Sequence, residues 1–195
     1  MSRVALYSPE PARGWLPWIW LVPILMILFN AVPVIALDDW MEARQWSTPH
    51  GDPIGLPGLH ALLWIGFVPT LLLVLAWVRF VERRSLASIG LVGPAPLKTF
   101  AQGLAIGMGT IALVVSAIWA AGGLRATGWG LAWQSPQSLL QVALLLPGFM
   151  LQSSVEEVIF RGWMQSVLAR KAGVAIAVLL VALTFTFLHF SPNQR

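Results

Sequence analysis

The sequence predicts an all-α protein, a polytopic transmembrane helical bundle with about five spans. Hydrophobic residues make up 57% of the 195 positions and charged residues only 10%, too few charges for an ordinary soluble domain. Eleven tryptophans fit a membrane protein, in which aromatic side chains collect at the two interfaces. The chain has no cysteine, which excludes a disulfide framework and thiolate chemistry. Its net charge of +4 is small and does not indicate nucleic-acid binding.

Apolar runs long enough to cross a bilayer alternate with polar segments along the chain. The five predicted spans are 15–37, 59–78, 99–121, 137–171 and 173–190. The predicted regions are an amino-terminal segment (1–14), three spans with their loops (15–136) and a catalytic-type helical hairpin (137–195). Pro147 and Gly148 predict a break in the fourth span, because proline removes a backbone donor.

Basic residues indicate the orientation of the spans. Arginine and lysine are concentrated in residues 1–14, 79–98 and 170–171, whereas the segments 38–57 and 122–136 contain one arginine each. Because basic loops stay on the cytoplasmic side, this alternation predicts a cytoplasmic amino terminus. We therefore expect a multi-pass protein of a bacterial inner membrane.

Three charges interrupt the apolar setting of the fourth span. A charge at the bilayer centre costs roughly 2.5–3.5 kcal/mol, so Glu156, Glu157 and Arg161 need a reason to be there. On a helix the three charges share one side with Ser153. Glu157 and Arg161 are four residues apart and can form an ion pair along the helix. Glu156 has no ion-pair partner on its own helix and is the better candidate for chemistry.

His189 is predicted to lie level with Glu156. Residues 170–173 look like a tight turn between two antiparallel helices. At about 1.5 Å of rise per residue, Glu156 and His189 lie roughly 24 and 26 Å from that turn. Phe185, one helical turn before His189, shares its face.

The two motifs resemble those of a known family. Residues 156–161 (EEVIFR) have the form EExxxR, and residues 185–189 (FTFLH) have the form FxxxH. In this order, on consecutive membrane helices, they resemble the first two motifs of the CPBP family. This family contains the CAAX-prenyl endopeptidases and the bacteriocin-processing and immunity proteins. Residues 84–91 (RSLASIGL) look like the connector that many bacterial members carry.

The resemblance implies an intramembrane endopeptidase that hydrolyses a peptide bond of a membrane-associated protein or peptide. The implied catalytic residues are Glu156, Glu157, Arg161 and His189, and Phe185 would line the substrate pocket. Glu156 could activate water, while His189 could hold that water, ligate a metal or polarise the carbonyl. Two mechanisms stay open: a zinc ion held by Glu156 and His189, or a glutamate-activated water without metal.

Two other classes of function stay open. The chain could be a non-catalytic immunity or scaffold protein that binds a partner through the same helices. It could also be a transporter fragment whose glutamate and histidine relay protons. The family pattern continues to a later helix with an HxxxN-type motif, and the sequence ends at Arg195 before it. We therefore expect a truncated reading of a longer gene or a degenerate member. The expected partners are the lipid bilayer and a peptide substrate; the sequence does not give the oligomeric state.

Overall fold

The computed structural model describes residues 11–91, 95–125, 128 and 130–190, without the side chains of Leu131 and Ala132. Within these residues the protein is helical and has no strand, which confirms the all-α prediction. The main helices are α1 (Leu21–Glu42), α2 (Gly55–Val81), α3 (Pro96–Ala120), α4 (Pro136–Ala172) and α5 (Val174–Leu188). Helices α1 to α4 are each long and apolar enough to cross a membrane, and α5 is a shorter apolar helix. Short 3₁₀ turns cover Leu86–Ile89 and Leu131–Gln134.

The chain divides into two compact units. One unit joins residues up to 91 with residues from 145 onwards, and the other comprises residues 92–144. The candidate site residues all belong to the first unit. Its core is built by apolar side chains of α1, α2, α4 and α5, among them Val22, Met26, Val74, Val78, Trp163, Val167, Leu168 and Ala177.

Helix α1 begins later than the predicted start at residue 15. The Gly14 N–H donates to the Glu82 carbonyl (2.9 Å), and the Trp15 N–H donates to the Val81 carbonyl (3.1 Å). These two hydrogen bonds hold the segment before α1 against the end of α2. The helix therefore starts only at Leu21, after this pairing has ended.

Helix α1 also ends later than predicted, running through Asp38 and Asp39 to Glu42. Leu37 and Met41, four residues apart, are buried and pack in one cluster with Ala61 of α2. Burial of this pair favours continued helix in spite of the acidic residues between them. The predicted loop at 38–57 was therefore wrong at its beginning.

The break predicted at Pro147 and Gly148 was wrong as well. Helix α4 continues through both residues. A β-carbon added to Gly148 would lie 2.8 Å from Cδ1 of Leu63, so this glycine serves the close approach of α4 to α2. The irregularity of α4 lies further on, at Glu157–Met164, which is π-helical. Such wide turns are frequent at functional sites.

Candidate active site

The hairpin of α4 and α5 positions the candidate residues. Its turn is made at Gly173, whose φ of 84° favours glycine because a side chain is strained there. Arg170 and Lys171 occupy the last turn of α4, where positive charge is favourable to the helix dipole. Val167 and Ala177 are both fully buried core residues close to the turn. The predicted antiparallel hairpin is thus present, with its turn at the predicted residues.

Glu156 and His189 face each other across this hairpin. Nε2 of His189 lies 3.9 Å from Oε1 of Glu156, so the juxtaposition expected from helix lengths is found. The side chain of Glu156 is 24% exposed and that of His189 50% exposed. The distance is too long for a direct hydrogen bond and short enough for one bridging water.

Glu156 has a neighbour on its own helix that the sequence analysis missed. Nε2 of Gln152 donates a hydrogen bond of 3.2 Å to Oε1 of Glu156, the oxygen that also faces His189. The expectation of a carboxylate without a partner on its helix holds for ion pairs but not for hydrogen bonds. Gln152 could have been found from sequence, because residues four apart are neighbours on a helix.

His189 is oriented by Phe185. Its Nδ1 lies 2.9 Å from the Phe185 carbonyl oxygen, which can only accept, so Nδ1 carries the hydrogen. The imidazole stacks on the Phe185 ring with 4.1 Å between centroids and 24° between planes. Phe185 in turn packs edge-on against Phe160 of α4 (5.0 Å). Phe185 therefore orients His189 both through its backbone carbonyl and through its ring, and it also lines the cleft.

Glu157 and Arg161 form the predicted ion pair within the π-helical stretch of α4. Both side chains are more than half exposed, 55% for Glu157 and 66% for Arg161. Val155 and Ile159 of the same helix are buried, so its polar and apolar sides are separate. The pair flanks the cleft and does not lie in the core.

A cleft of about 500 Å³ opens between α4 and α5 at this level. Polar side chains line one part of it: Ser153, Glu156, Glu157, Arg161, Gln165 and Thr186. Apolar side chains line the other: Phe160, Val178, Val181, Ala182 and Phe185. The cleft thus offers both charged groups and an apolar wall to one ligand.

The side chains present do not complete a zinc site. Catalytic zinc is held by three protein ligands and keeps a fourth position open. Glu156 and His189 supply two ligands, and the described residues contain no group of three or more His, Cys, Asp or Glu able to hold a metal.

A buried polar network, which the sequence analysis did not predict, anchors the same stretch of α4. Glu82 and Arg84, both buried, form an ion pair of 2.6 Å, supported by a 2.7 Å hydrogen bond from Nε of Arg84. Oε1 of Glu82 accepts from the indole N–H groups of Trp163 (2.7 Å) and Trp77 (3.0 Å). NH1 of Arg84 donates to the Ser166 hydroxyl (3.1 Å).

This network gives the connector after α2 a structural role. Gly162, which precedes Trp163, lets the 3₁₀ turn approach α4, because an added β-carbon would lie 2.5 Å from the Ile89 carbonyl oxygen. Sequence analysis placed Arg84 among the topology-determining arginines and overlooked Glu82. Glu82 and Trp163 are 81 positions apart in the sequence, which left no local signal for their contact.

Comparison with known proteins addresses this same part of the chain. Residues 136–194 match the family model described as type II CAAX prenyl endopeptidase Rce1-like. The predicted family resemblance is confirmed. The match, which is consistent with a CPBP-family intramembrane protease, covers less than half of the chain and includes both the EExxxR and the FxxxH motif. It supports a general intramembrane endopeptidase function. No curated protein and no solved structure matches the chain.

Proposed function

We propose that this protein is an intramembrane endopeptidase in which Glu156 is the general base and His189 holds the attacking water. One observation carries the proposal: Glu156 and His189 face each other at 3.9 Å within the segment that matches the endopeptidase family.

Two hydrogen-bond acceptors converge on the position of the water. With its hydrogen on Nδ1, the neutral His189 ring presents a lone pair at Nε2. The Glu156 carboxylate also accepts, so a water between them donates one hydrogen to each, at steps of roughly 2.6–3.2 Å. Its oxygen keeps a lone pair for the substrate carbonyl. Glu156 lines the cleft, whereas His189 is not among the lining residues.

Hydrolysis proceeds by proton transfer through Glu156. The carboxylate takes a proton from the water, whose oxygen attacks the carbonyl carbon of a peptide bond in the cleft. When the tetrahedral intermediate collapses, the C–N bond breaks and Glu156 gives the proton to the amine nitrogen that leaves. Gln152 keeps the carboxylate in place through its hydrogen bond. No step requires a metal ion.

The substrate we propose is a membrane-associated peptide, and prenylated peptides are the first class to test. The family description names CAAX prenyl endopeptidases. Val178, Val181 and Ala182 provide an apolar wall to the cleft that the proposed base also lines. A lipidated peptide carries an apolar group close to a hydrolysable peptide bond, which matches a cleft that has an apolar wall and also contains Glu156.

Substitution of Glu156 tests the proposal. Glu156→Gln keeps the shape of the side chain and removes its basicity, so cleavage should fall by roughly 10²- to 10⁴-fold, the usual contribution of general base catalysis. Cleavage is measured as new peptide termini in membranes of cells that express the wild type or the variant. A purified assay uses a farnesylated CAAX peptide and the same peptide without the farnesyl group.

Glu42→Gln is the matched control, because Glu42 is an exposed glutamate at the end of α1, outside the site. It should leave cleavage unchanged. Full cleavage by Glu156→Gln, or no wild-type cleavage in either assay, contradicts the proposal. Cleavage of the unmodified peptide alone would keep the mechanism and reject the prenylated substrate.

A further inference from the structure

A second cavity, of about 400 Å³, lies at the end of α2 and shares no lining residue with the cleft between α4 and α5. Four arginines line it, together with a serine and a leucine: Arg13, Arg79, Arg83, Arg84, Ser85 and Leu86. No acidic side chain is among these lining residues. We call it the arginine pocket.

The charge of the arginine pocket is largely uncompensated. Arg84, buried at its base, is neutralised by Glu82. Arg13, Arg79 and Arg83 are exposed, and none of the three makes an ion pair with a carboxylate in the part of the chain that the structure describes. Three guanidinium groups around one cavity repel each other, and an anion bound among them relieves this repulsion.

The backbone holds the arginines together without a ligand. The hydrogen bond from Gly14 N–H to the Glu82 carbonyl places Arg13 next to Arg83. This approach requires glycine, since a β-carbon at Gly14 would lie 2.0 Å from the Val81 carbonyl oxygen. Arg83 itself adopts a left-handed conformation with φ of 51°. Strained backbone of this kind persists where the surroundings enforce it and is frequent at ligand-binding sites.

The surroundings place the pocket at the level of lipid headgroups. Arg79 lies in the last turn of α2, a 27-residue apolar helix long enough to cross a membrane. Three exposed tryptophans, Trp15, Trp18 and Trp20, form a cluster just after Arg13, with Trp18 and Trp20 stacked at 5.5 Å. Tryptophans of this kind mark the interface between hydrocarbon and water, which is where lipid phosphates are found.

We propose that the arginine pocket binds the phosphate of an anionic phospholipid headgroup. Guanidinium groups bind phosphate oxygens through paired, charge-assisted hydrogen bonds, and the pocket presents three that have no carboxylate partner among the described residues. The acyl chains then lie along α2, beside the exposed Phe80. A neutral headgroup such as phosphatidylcholine carries its own cation and is bound more weakly.

Native mass spectrometry of the full chain in detergent tests this, with phosphatidylglycerol or phosphatidylcholine added. The wild type should prefer phosphatidylglycerol. The double variant Arg79→Gln, Arg83→Gln should bind it roughly 25-fold more weakly, about fivefold for each arginine, as expected for basic residues near a charged lipid surface. Arg79→Lys, Arg83→Lys keeps the charge and loses the planar fork, so its affinity should fall between the two.

The matched control is Arg44→Gln, Arg125→Gln, which removes the same charge from two exposed arginines outside the pocket. It should bind as the wild type does. Equal phosphatidylglycerol binding by the glutamine variant and the control overturns the proposal, as does equal wild-type binding of the two lipids. Inorganic phosphate is added as a competitor: displacement of the lipid by low millimolar phosphate would identify a soluble phosphate as the ligand and overturn the lipid assignment. If the glutamine variant does not fold, the lysine variant provides the test. Phosphatidylglycerol binding by the lysine variant as tight as that of the wild type would overturn bidentate recognition of the phosphate.

Discussion

Glu156 lies between two neighbours, the amide of Gln152 and the imidazole of His189. Both contacts converge on the same carboxylate oxygen, Oε1. The second oxygen has no contact of this kind from either residue. The direction in which the base faces the proposed water therefore depends on Gln152, although Gln152 does not itself line the cleft.

Gln152→Met should lower kcat for peptide cleavage about tenfold and leave KM nearly unchanged. Methionine keeps the length of the side chain and removes the N–H donor, and a hydrogen bond to a charged group contributes about 1.5–3 kcal/mol before exposure reduces it. Steady-state kinetics with the cleaved peptide measure both constants. Gln152→Glu should be as impaired as Gln152→Met, because an ionised carboxylate has no N–H donor. Melting temperatures of the variants close to that of the wild type exclude general unfolding. A rise of KM at constant kcat would show that Gln152 binds substrate and does not orient the base.

Sequence predicted those site residues whose spacing lies within one helix or one hairpin. Helical periodicity alone predicts that Glu157 pairs with Arg161 and that Phe185 shares a face with His189. The rise per residue predicts that His189 lies at the same depth as Glu156. Glu82 followed from neither, because its contact with Trp163 depends on how the end of α2 packs against α4. Tertiary contacts over such separations have no local signature in the sequence.

The π-helical stretch of α4 is the element on which the site depends. It carries Glu157 and Arg161 on its exposed side, while its buried side contributes Trp163 to the Glu82 carboxylate. The buried ion pair of Glu82 and Arg84 thus connects the segment after α2 to the helix that carries the proposed base.

Arg84→Met should destabilise the protein by about 3–5 kcal/mol, because it leaves the Glu82 carboxylate buried without its cation. The double variant Glu82→Gln, Arg84→Met should be more stable than this single variant, since a neutral amide replaces the stranded charge. Melting of the detergent-solubilised proteins provides the comparison. If the loss of stability in the double variant equals the sum of the losses in Glu82→Gln and Arg84→Met, the two side chains do not interact.

Helix boundaries were predicted less well than the helices themselves, for reasons seen at α1 and α4. Hydropathy placed the end of α1 before Asp38, but burial of Leu37 and Met41 against α2 extends the helix past the acidic residues. Proline chemistry predicted a break at Pro147, but packing of Gly148 against Leu63 keeps that part of α4 continuous. In both places contacts with α2 outweighed the local preference.

At the scale of the molecule, we propose that the amino terminus and the segment after α2 lie in the cytoplasm. Arg13, Arg79 and Arg83 gather around one cavity, which gives this side of the first unit its positive charge. The opposite end of α1 is acidic instead: Asp38, Asp39 and Glu42 lie in its last turns and Asp52 lies in the loop that follows, against the single Arg44. This charge distribution follows the positive-inside rule.

Alkaline phosphatase fusions test the orientation. A fusion at Asp52 should be active, because the enzyme folds only outside the cytoplasm, and a fusion at Ser88 should be inactive. Fusions to green fluorescent protein at the same two positions should give the reverse result. An active fusion at Ser88 together with an inactive one at Asp52 would invert the proposed orientation.

Three polar contacts of the hairpin lie within single helical turns, which has a consequence for biogenesis. Gln152 and Glu156, Glu157 and Arg161, and Phe185 and His189 are each four residues apart. Because each of these contacts lies within one helix, it forms together with that helix. Glu157 then neutralises Arg161 and Nδ1 of His189 has its acceptor, while Glu156 has a hydrogen bond from Gln152 but no cation on its own helix. Only the approach of Glu156 to His189 waits for the two helices to meet. The proposed base and its histidine therefore meet only when the two helices pack together, so we expect the proposed hydrolytic activity to depend on closure of the hairpin.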